Sequence, residues 1–515
     1  MSLFFADLSA GNAFKLPPST LTTLCIGMVI YCGAMLFIGW WSSRKVQEVH
    51  DFLVAGRRLP LWMATATLLA TWFGAGSSMG VAATVYKDGI NGVLADPFGA
   101  ALSLIFAGIF IVGLLRKKGC MTVTDIIARR YGEGAGIYAS LWMIPVYIGW
   151  LGAQLKGLGT ILNLLTGMSV TTGTWIGAVV VLFYTCAGGM WAVTLTDVVQ
   201  VGIMIIGLLI IMPGAVNLSG GAEALMASLS PRDLSLLPQD VANANDVVYY
   251  IGSWIIMGLG CMVGQDLIQR SLSSRDDKIA VSSSIMSGFF YLLVGIIPIT
   301  IGFCARLVFK KYGIDENIMG GDLENQVLPR MAMIILGDIH PILLTIFLSA
   351  LVAAIMSSAD SSLLAGASLL CNNVLEPFSP GFLKRHMLGA TRITTVLLTV
   401  IALYFAINVE SIYALMINSW ISQLVVVFLP VMMALYLPRS SKQAAWATML
   451  VGTAVWLGYT FITSCGSGMT FVQLLDSDRF DRAITCGAVY GFVCALLTAI
   501  FCCCGERISA NCQEE

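Results

Sequence analysis

Four serines and one aspartate lie within ten residues of an otherwise apolar segment, 353–362, whose sequence is AAIMSSADSS. Helical positions spaced by three and four residues share one face, and that face collects Ala354, Ser357, Ser358 and Ser361. Small hard cations prefer oxygen ligands, and a carboxylate at membrane depth, such as Asp360, is costly unless it serves an ion or substrate path. The patch therefore predicts a cation-binding helix face. The alternative is that the hydroxyls bond to the preceding turn or join helices.

A second carboxylate, Asp197, lies near a predicted membrane boundary in the stretch 194–200, TLTDVVQ, which follows Gly188 and Gly189. A side-chain oxygen at this place is suited to capping the start of a helix. Together with Asp360, it would instead balance a second cation. Both interpretations stay open at this point.

Three further charges lie in or beside apolar stretches. Lys156 and Asp96 fall at matching depths of predicted spans, which favours either a buried ion pair or a direct role in substrate or proton binding. Asp266 precedes Arg270 by four residues, a spacing that allows a bridge along one helix.

Composition bounds the protein class. Of 515 residues, 57% are hydrophobic and 11% are charged, whereas soluble proteins have about 25% charged residues. This indicates a polytopic membrane protein with a single membrane domain, 1–515. The formal net charge of −1 argues against a nucleic-acid partner. No phosphate-binding loop, nucleophile elbow or zinc motif is present in the sequence, so an enzyme is not expected.

Windows of about 20 apolar residues predict thirteen spans. They lie at 21–41, 61–86, 92–115, 134–166, 172–188, 196–218, 246–268, 280–305, 341–373, 391–408, 412–436, 443–463 and 483–504. Basic residues follow the first of these, at Arg44, Lys45, Arg57 and Arg58. The positive-inside rule therefore places the N-terminus outside and the C-terminus, with a tail at 505–515, in the cytoplasm.

Two of the predicted spans are interrupted by glycines. The sequence GAGSSMG occupies 74–80, and GLGCMVG occupies 258–264. These spans lie five helices apart and run in opposite directions. Such a pair is typical of an inverted-repeat transporter whose site lies at the membrane midplane. The alternative is that the glycines only let helices pack closely.

Several motifs together resemble the sodium/solute symporter family, over about Asp51 to Tyr436. They are DFLVAGRRLP at 51–60, ATWFG at 70–74, GGMWAV at 188–193 leading to TDVVQ at 196–200, and the serine patch. The resemblance implies a leucine-transporter-type fold, all-α, with two inverted five-helix repeats in a core at 61–436. One helix, 21–41, precedes that core and two, within 443–504, follow it.

The resemblance also implies the ion ligands. A first sodium site would use the backbone carbonyls of Ala70 and Phe73 with Ala354, Ser357 and Ser358. A second would use Asp197, Ser357, Asp360 and Ser361. Na+ is thus the expected coupling ion, and no cofactor is expected.

Within the family the sequence resembles the high-affinity choline transporter branch, which encloses its ligand in aromatic rings. Trp72 and Trp150 match two of those rings, but Ala100 and Gly264 stand where two more would be. The candidate substrate-binding residues are Trp72, Ser77, Trp150 and Gly264. Either tryptophan could instead serve packing or an interface.

The expected function is sodium-coupled import of a small organic solute, choline-like or another amine, amino acid or carboxylate, by alternating access in the plasma membrane. The alternatives are proton coupling through Asp197, Asp360 or the paired Lys156 and Asp96, and a solute-sensing transceptor. The sequence leaves the solute and the oligomeric state open.

Overall fold

The computed structural model describes residues 57–238, 241–314, 325–336, 341–409, 412–464 and 477–514, together with scattered positions between 22 and 41. The predicted first span, 21–41, therefore lies largely outside the described residues. The described chain is almost entirely helical. Its core runs through the centre of the helix bundle, where the polar patch of the sequence is also buried.

The helices are numbered here in chain order. They are α1 Leu61–Trp72, α2 Gly76–Asp88, α3 Ile90–Lys117, α4 Val123–Tyr131, α5 Glu133–Thr166, α6 Val170–Leu218, α7 Gly221–Ser228, α8 Ala244–Gly258, α9 Gln265–Leu272, α10 Asp277–Lys311, α11 Val327–Leu336, α12 Pro341–Ser368, α13 Pro380–Asn408, α14 Ile412–Ser419, α15 Leu429–Tyr436, α16 Lys442–Ser464 and α17 Asp478–Glu514. A 3-10 turn, Gly260–Val263, lies between α8 and α9, and a π-helical stretch, Gln423–Phe428, precedes α15.

Within the described residues, ten helices are long and apolar enough to cross a membrane, or eleven if the bent pair α1 and α2 forms one span. The multi-pass prediction is confirmed, but the count of thirteen is not. Part of the difference lies at α6, which is helical over all 49 residues from Val170 to Leu218. The sequence predicts two spans there. At 1.5 Å per residue, a helix of that length is far longer than the ~30 Å hydrocarbon core, so it is long enough to include both.

Both glycine-interrupted spans are broken in the structure, as the sequence predicts. Helices α1 and α2 are bent by 64° at their junction. The second span divides into α8, the 3-10 turn and α9, with Gly264 in an extended conformation immediately before α9. Breaks of this kind leave backbone groups without their helical partners, which is tolerated at membrane depth only where protein or a cavity satisfies them.

The segment after α7 docks on the C-terminal end of α2. Asp233 forms an ion pair with Arg306, 2.5 Å apart, and the Arg306 side chain also donates to the carbonyls of Tyr86 and Val85 at the end of α2. Partial burial raises the pKa of Asp233, but hydrogen bonds from Ser230 and Arg306 outweigh it and hold the pKa at about 2. The carboxylate is therefore ionised at neutral pH, which keeps this segment fixed against α2.

Candidate functional site

The break between α1 and α2 redirects two backbone amides. An uninterrupted helix would send the N–H groups of residues 74 and 75 to the carbonyls four residues earlier. Instead the Gly74 N–H donates to the Trp72 carbonyl at 3.1 Å, and the Ala75 N–H donates to Gln154 Oε1 at 2.8 Å. The carbonyls of Ala70 and Thr71 are thereby released from those two amides. A dehydrated cation can use such oxygens as ligands.

Ser358 of α12 faces this break. Its hydroxyl donates to the Thr71 carbonyl at 2.7 Å. A Cβ added at Gly74 would lie 2.5 Å from Ser358 Oγ and 2.5 Å from Gln154 Oε1, so α12 and α5 approach the break as closely as glycine permits. The other residues predicted for the first sodium site, Ala70, Phe73 and Ala354, are buried in the same core. The structure thus brings Ser358 of the serine stripe against the broken helix.

Ser357 points into a different cluster. Its hydroxyl donates to Asp197 Oδ1, and Thr67 of α1 donates to Asp197 Oδ2. Both Ser357 and Asp197 are fully buried. Asp197 thus joins three helices, α1, α6 and α12, and does not act as a helix cap, because α6 continues through it.

Arg270 of α9 lies in the predicted second cation site. Its Nη2 donates to Ser361 Oγ and lies 3.8 Å from Asp197 Oδ2, and neither charged side chain is exposed. Among the described residues, Arg270 Nε and Nη1 and Asp360 Oδ2 are buried without a hydrogen-bond partner. A guanidinium therefore already supplies positive charge between Asp197 and Ser361.

The two predicted tryptophans meet through a third. The ring of Trp420, at the break between α14 and the following π-helical stretch, lies 5.7 Å from that of Trp72 and 5.6 Å from that of Trp150. Tyr147 lies 6.3 Å from Trp150, and Tyr291 lies 6.3 Å from Trp72. The structure therefore places five aromatic rings where the sequence predicts two.

Asp266 is part of this aromatic cluster. The Trp72 indole N–H donates to Asp266 Oδ2 at 2.6 Å, and the Tyr147 hydroxyl donates to Asp266 Oδ1 at 3.1 Å. The carboxylate thus lies against the rings of α1 and α5, while the Arg270 guanidinium on the same helix reaches toward Asp197.

Ser77 and Asp96 form a third polar group beside Trp72. Asp96 accepts hydrogen bonds from Ser77 Oγ at 2.6 Å and from the Tyr291 hydroxyl at 2.8 Å. Asp96 is 1% exposed and Lys156 is 3% exposed. Their pairing, which the sequence suggests, stays a prediction.

Several of these groups carry no recognisable signal in the sequence. Trp420 and Tyr291 lie in ordinary apolar segments, where aromatic side chains usually pack or anchor. Arg270 lies two residues beyond the predicted span 246–268, where the sequence suggests only a bridge to Asp266. Its contacts with Asp197 and Ser361 depend on the packing of α9 against α6 and α12.

Comparisons with known proteins match this architecture. The model of a family described as the sodium:solute symporter family matches residues 52–452. "High-affinity choline transporter 1" of Caenorhabditis elegans is 27% identical over 451 residues, which cover 83% of this chain and 76% of that protein. "Osmoregulated proline transporter OpuE" of Bacillus subtilis is 24% identical over 465 residues, which cover 86% of this chain and 90% of that protein.

Among solved structures, a Na+-coupled sialic acid symporter in a substrate-bound outward-open state superposes with a TM-score of 0.71 at 18% identity. The match covers 92% of this chain and 98% of that one. At this identity the likeness concerns the fold alone. The predicted all-helical, leucine-transporter-type fold is confirmed.

Proposed function

The chain belongs to the sodium:solute symporter family, and from this premise we propose that it imports a small organic solute together with Na+ by alternating access. It is a multi-pass membrane transporter and not an enzyme. We place it in the plasma membrane with its N-terminus outside and its C-terminus in the cytoplasm, because basic residues flank the first predicted span on its C-terminal side.

The proposal depends on one observation. The Ser358 hydroxyl on α12 donates to the Thr71 carbonyl at the α1–α2 break, where the Gly74 N–H no longer follows the helical hydrogen-bond pattern. A cation bound there would contact both helices through oxygen atoms. Its affinity would then depend on how α12 lies against α1, which is the kind of differential contact that lets an ion shift a conformational equilibrium. We assign the first sodium site to the carbonyls of Ala70 and Phe73, with Ala354, Ser357 and Ser358.

The second cluster is proposed as a weaker or conditional sodium site. Asp197, Ser357, Asp360 and Ser361 supply oxygens, but Arg270 lies among them and competes with an added cation for the same negative charge. Binding of a second Na+ would therefore require the guanidinium to move.

A single Na+ supplies enough free energy for uptake. Moving one charge through 100 mV contributes ~2.3 kcal/mol, which corresponds to roughly 40-fold accumulation of a neutral solute before the sodium concentration gradient is counted.

Uptake by proteoliposomes tests the function. With an inward sodium gradient and an inside-negative potential, we expect accumulation of a solute above its external concentration, because ion entry drives it. The same vesicles with K+ replacing Na+, and with an imposed pH gradient instead, are the controls. Accumulation driven by protons in the absence of sodium would replace sodium coupling with proton coupling.

Ser358→Ala tests the first sodium site. Removing one hydroxyl ligand is expected to raise the sodium concentration for half-maximal uptake by about tenfold. A tenfold change corresponds to a loss of ~1.4 kcal/mol of binding free energy, which is the size of one hydrogen-bond contribution. Ser362→Ala is the matched control, because the Ser362 hydroxyl is also buried on α12 but donates to the Ala359 carbonyl of its own helix. Equal sodium dependence in both variants would reject the assignment.

A further inference from the structure

We propose that the solute is a small amine bearing at least one N–H group, held beside Gly264 by Asp266 and Gln423 and covered by Trp420. The inference rests on the proposed transport function and specifies its substrate class. Neither Gln423 nor Trp420 is indicated as a ligand by sequence motifs. Both are brought to the second break by the tertiary fold.

Three hydrogen-bond acceptors lie close to Gly264. A Cβ added there would lie 2.9 Å from Asp266 Oδ1, 3.1 Å from the Cys261 carbonyl oxygen and 3.7 Å from Gln423 Oε1. The Cys261 carbonyl already accepts the Gly264 N–H at 3.0 Å, and Asp266 Oδ1 accepts the Tyr147 hydroxyl at 3.1 Å. Gln423 is 2% exposed, and its Oε1 has no hydrogen-bond partner among the described residues. Such a group is unfavourable unless a ligand satisfies it.

Asp266 supplies a full negative charge for the ammonium group of the ligand. Its two oxygens accept hydrogen bonds from Trp72 and Tyr147, but an ionised carboxylate has about four acceptor positions. It can therefore hold the indole and the phenol and still receive N–H groups from a ligand. The two aromatic donors fix the orientation of the carboxylate, so that its remaining acceptor positions are already placed before the ligand arrives.

The aromatic rings favour an organic ion over a bare metal ion. Trp72, Trp150 and Trp420 pack around the same region with centroid distances of 5.6 to 5.7 Å, and ring faces attract organic cations. The Trp150 indole N–H is also buried without a partner among the described residues. It can donate to an acceptor carried by the solute, such as a hydroxyl group.

The balance of buried charges also favours a cationic amine as the solute. The buried ionisable side chains of the described residues are four aspartates, Asp96, Asp197, Asp266 and Asp360, together with Arg270 and Lys156. Four carboxylates against two cations leave two negative charges when all six are ionised. One Na+ and one singly charged ammonium neutralise them, whereas a carboxylate solute would increase the imbalance.

The acceptors distinguish between classes of amine. A primary or secondary ammonium donates N–H groups to Asp266 and Gln423. A quaternary ammonium has no N–H and leaves these acceptors unsatisfied, and a site built for hydrogen bonds rejects an analogue that lacks them. Glycine at position 264 keeps a side chain away from these acceptors, because a Cβ there would lie 2.9 Å from Asp266 Oδ1.

Calorimetric titration of the purified protein in saturating NaCl tests the class. The probes are two series in which only the N–H count changes. The first is ethanolamine, N-methylethanolamine, N,N-dimethylethanolamine and choline, and the second is benzylamine with its three successive N-methylated forms. We expect affinity to fall at least tenfold from the primary to the quaternary member of one or both series. Quaternary members that bind as tightly as the primary ones, or no binding by any probe, would overturn the proposal.

Two variants test whether the preference for N–H groups arises at Asp266 and Gln423. Asp266→Asn should lower primary-amine affinity by at least tenfold and remove the preference for N–H. Gln423→Leu should weaken the same preference without changing a charge. Asp277→Asn, the same substitution at a half-exposed residue paired with Arg116, is the control and should match the unaltered protein. Retention of the full preference in both site variants would show that the amine binds elsewhere.

Repeating the titrations with KCl in place of NaCl separates this inference from the proposed function. Equal amine affinity in both salts would count against sodium coupling while leaving the substrate class in place. If Asp266→Asn instead raises the sodium requirement and leaves the order of amines unchanged, Asp266 is a sodium ligand and the proposal fails.

Discussion

Gly74→Ala is expected to abolish most sodium-dependent uptake while leaving the protein folded. The added methyl group would lie 2.5 Å from both Ser358 Oγ and Gln154 Oε1 and 2.8 Å from Ser358 Cβ. These contacts are too short to persist, so α12 or α5 must move away from the break. Overpacking of this kind costs about 1–3 kcal/mol. We expect a tenfold to hundredfold rise in the sodium concentration for half-maximal uptake, measured in proteoliposomes.

Gly202→Ala is the matched control for this variant. Gly202 lies within α6, where a Cβ would have no heavy atom within 4 Å beyond its own helix. Alanine favours a helix interior over glycine by up to about 1 kcal/mol, so this variant should keep its sodium dependence and be equally or more thermally stable. If Gly74→Ala also kept its sodium dependence, close approach at the first break would not determine ion binding.

Arg270→Met is expected to cause the largest loss of stability of any single change in the site. It removes the cation that lies 3.8 Å from Asp197 and leaves buried carboxylates without it. Removing one partner from a buried ion pair costs about 3–5 kcal/mol. Thermal unfolding of the purified protein, at fixed sodium concentration, should show a lower transition temperature and a reduced yield of folded protein.

The double variant Arg270→Met/Asp197→Asn tests the cause. Neutralising the carboxylate removes the unpaired charge, so the double variant should be more stable than Arg270→Met alone. In Arg270→Met, added Na+ should also raise the transition temperature more than it does in the unaltered protein, because the vacated position is open to a cation. A double variant as unstable as the single one would show that Arg270 acts through packing and not through Asp197.

Local sequence patterns predicted the helix and the helix breaks that carry the proposed ion site. The spacing of Ser357, Ser358 and Ser361 gave one helix face, and α12 is helical throughout that stretch. The glycines of 74–80 and 258–264 predicted two breaks because glycine weakens a helix wherever it lies. Helix faces and helix breaks depend on neighbours along the chain. They can therefore be predicted without knowing which helices pack against them.

The partners of each polar group were less predictable. The four-residue spacing of Asp266 and Arg270 suggests a bridge along α9, yet Asp266 bonds to Trp72 and Tyr147, while Arg270 reaches Asp197 and Ser361. Helix rotation and the depth at which distant segments cross decide these pairings. Neither quantity is encoded in the pattern of one segment.

By itself, the sequence determined that this chain crosses a membrane many times, belongs with sodium-coupled symporters and places serine and carboxylate oxygens on one helix. Hydrophobicity, periodicity and short motifs are local properties, and they carry that information. Only the tertiary structure decided that Arg270 lies in the proposed second cation cluster, that Trp420 packs against Trp72 and that Gln423 lies near Gly264. Those contacts join residues at least 73 positions apart in the chain, so their geometry follows from how the helices pack.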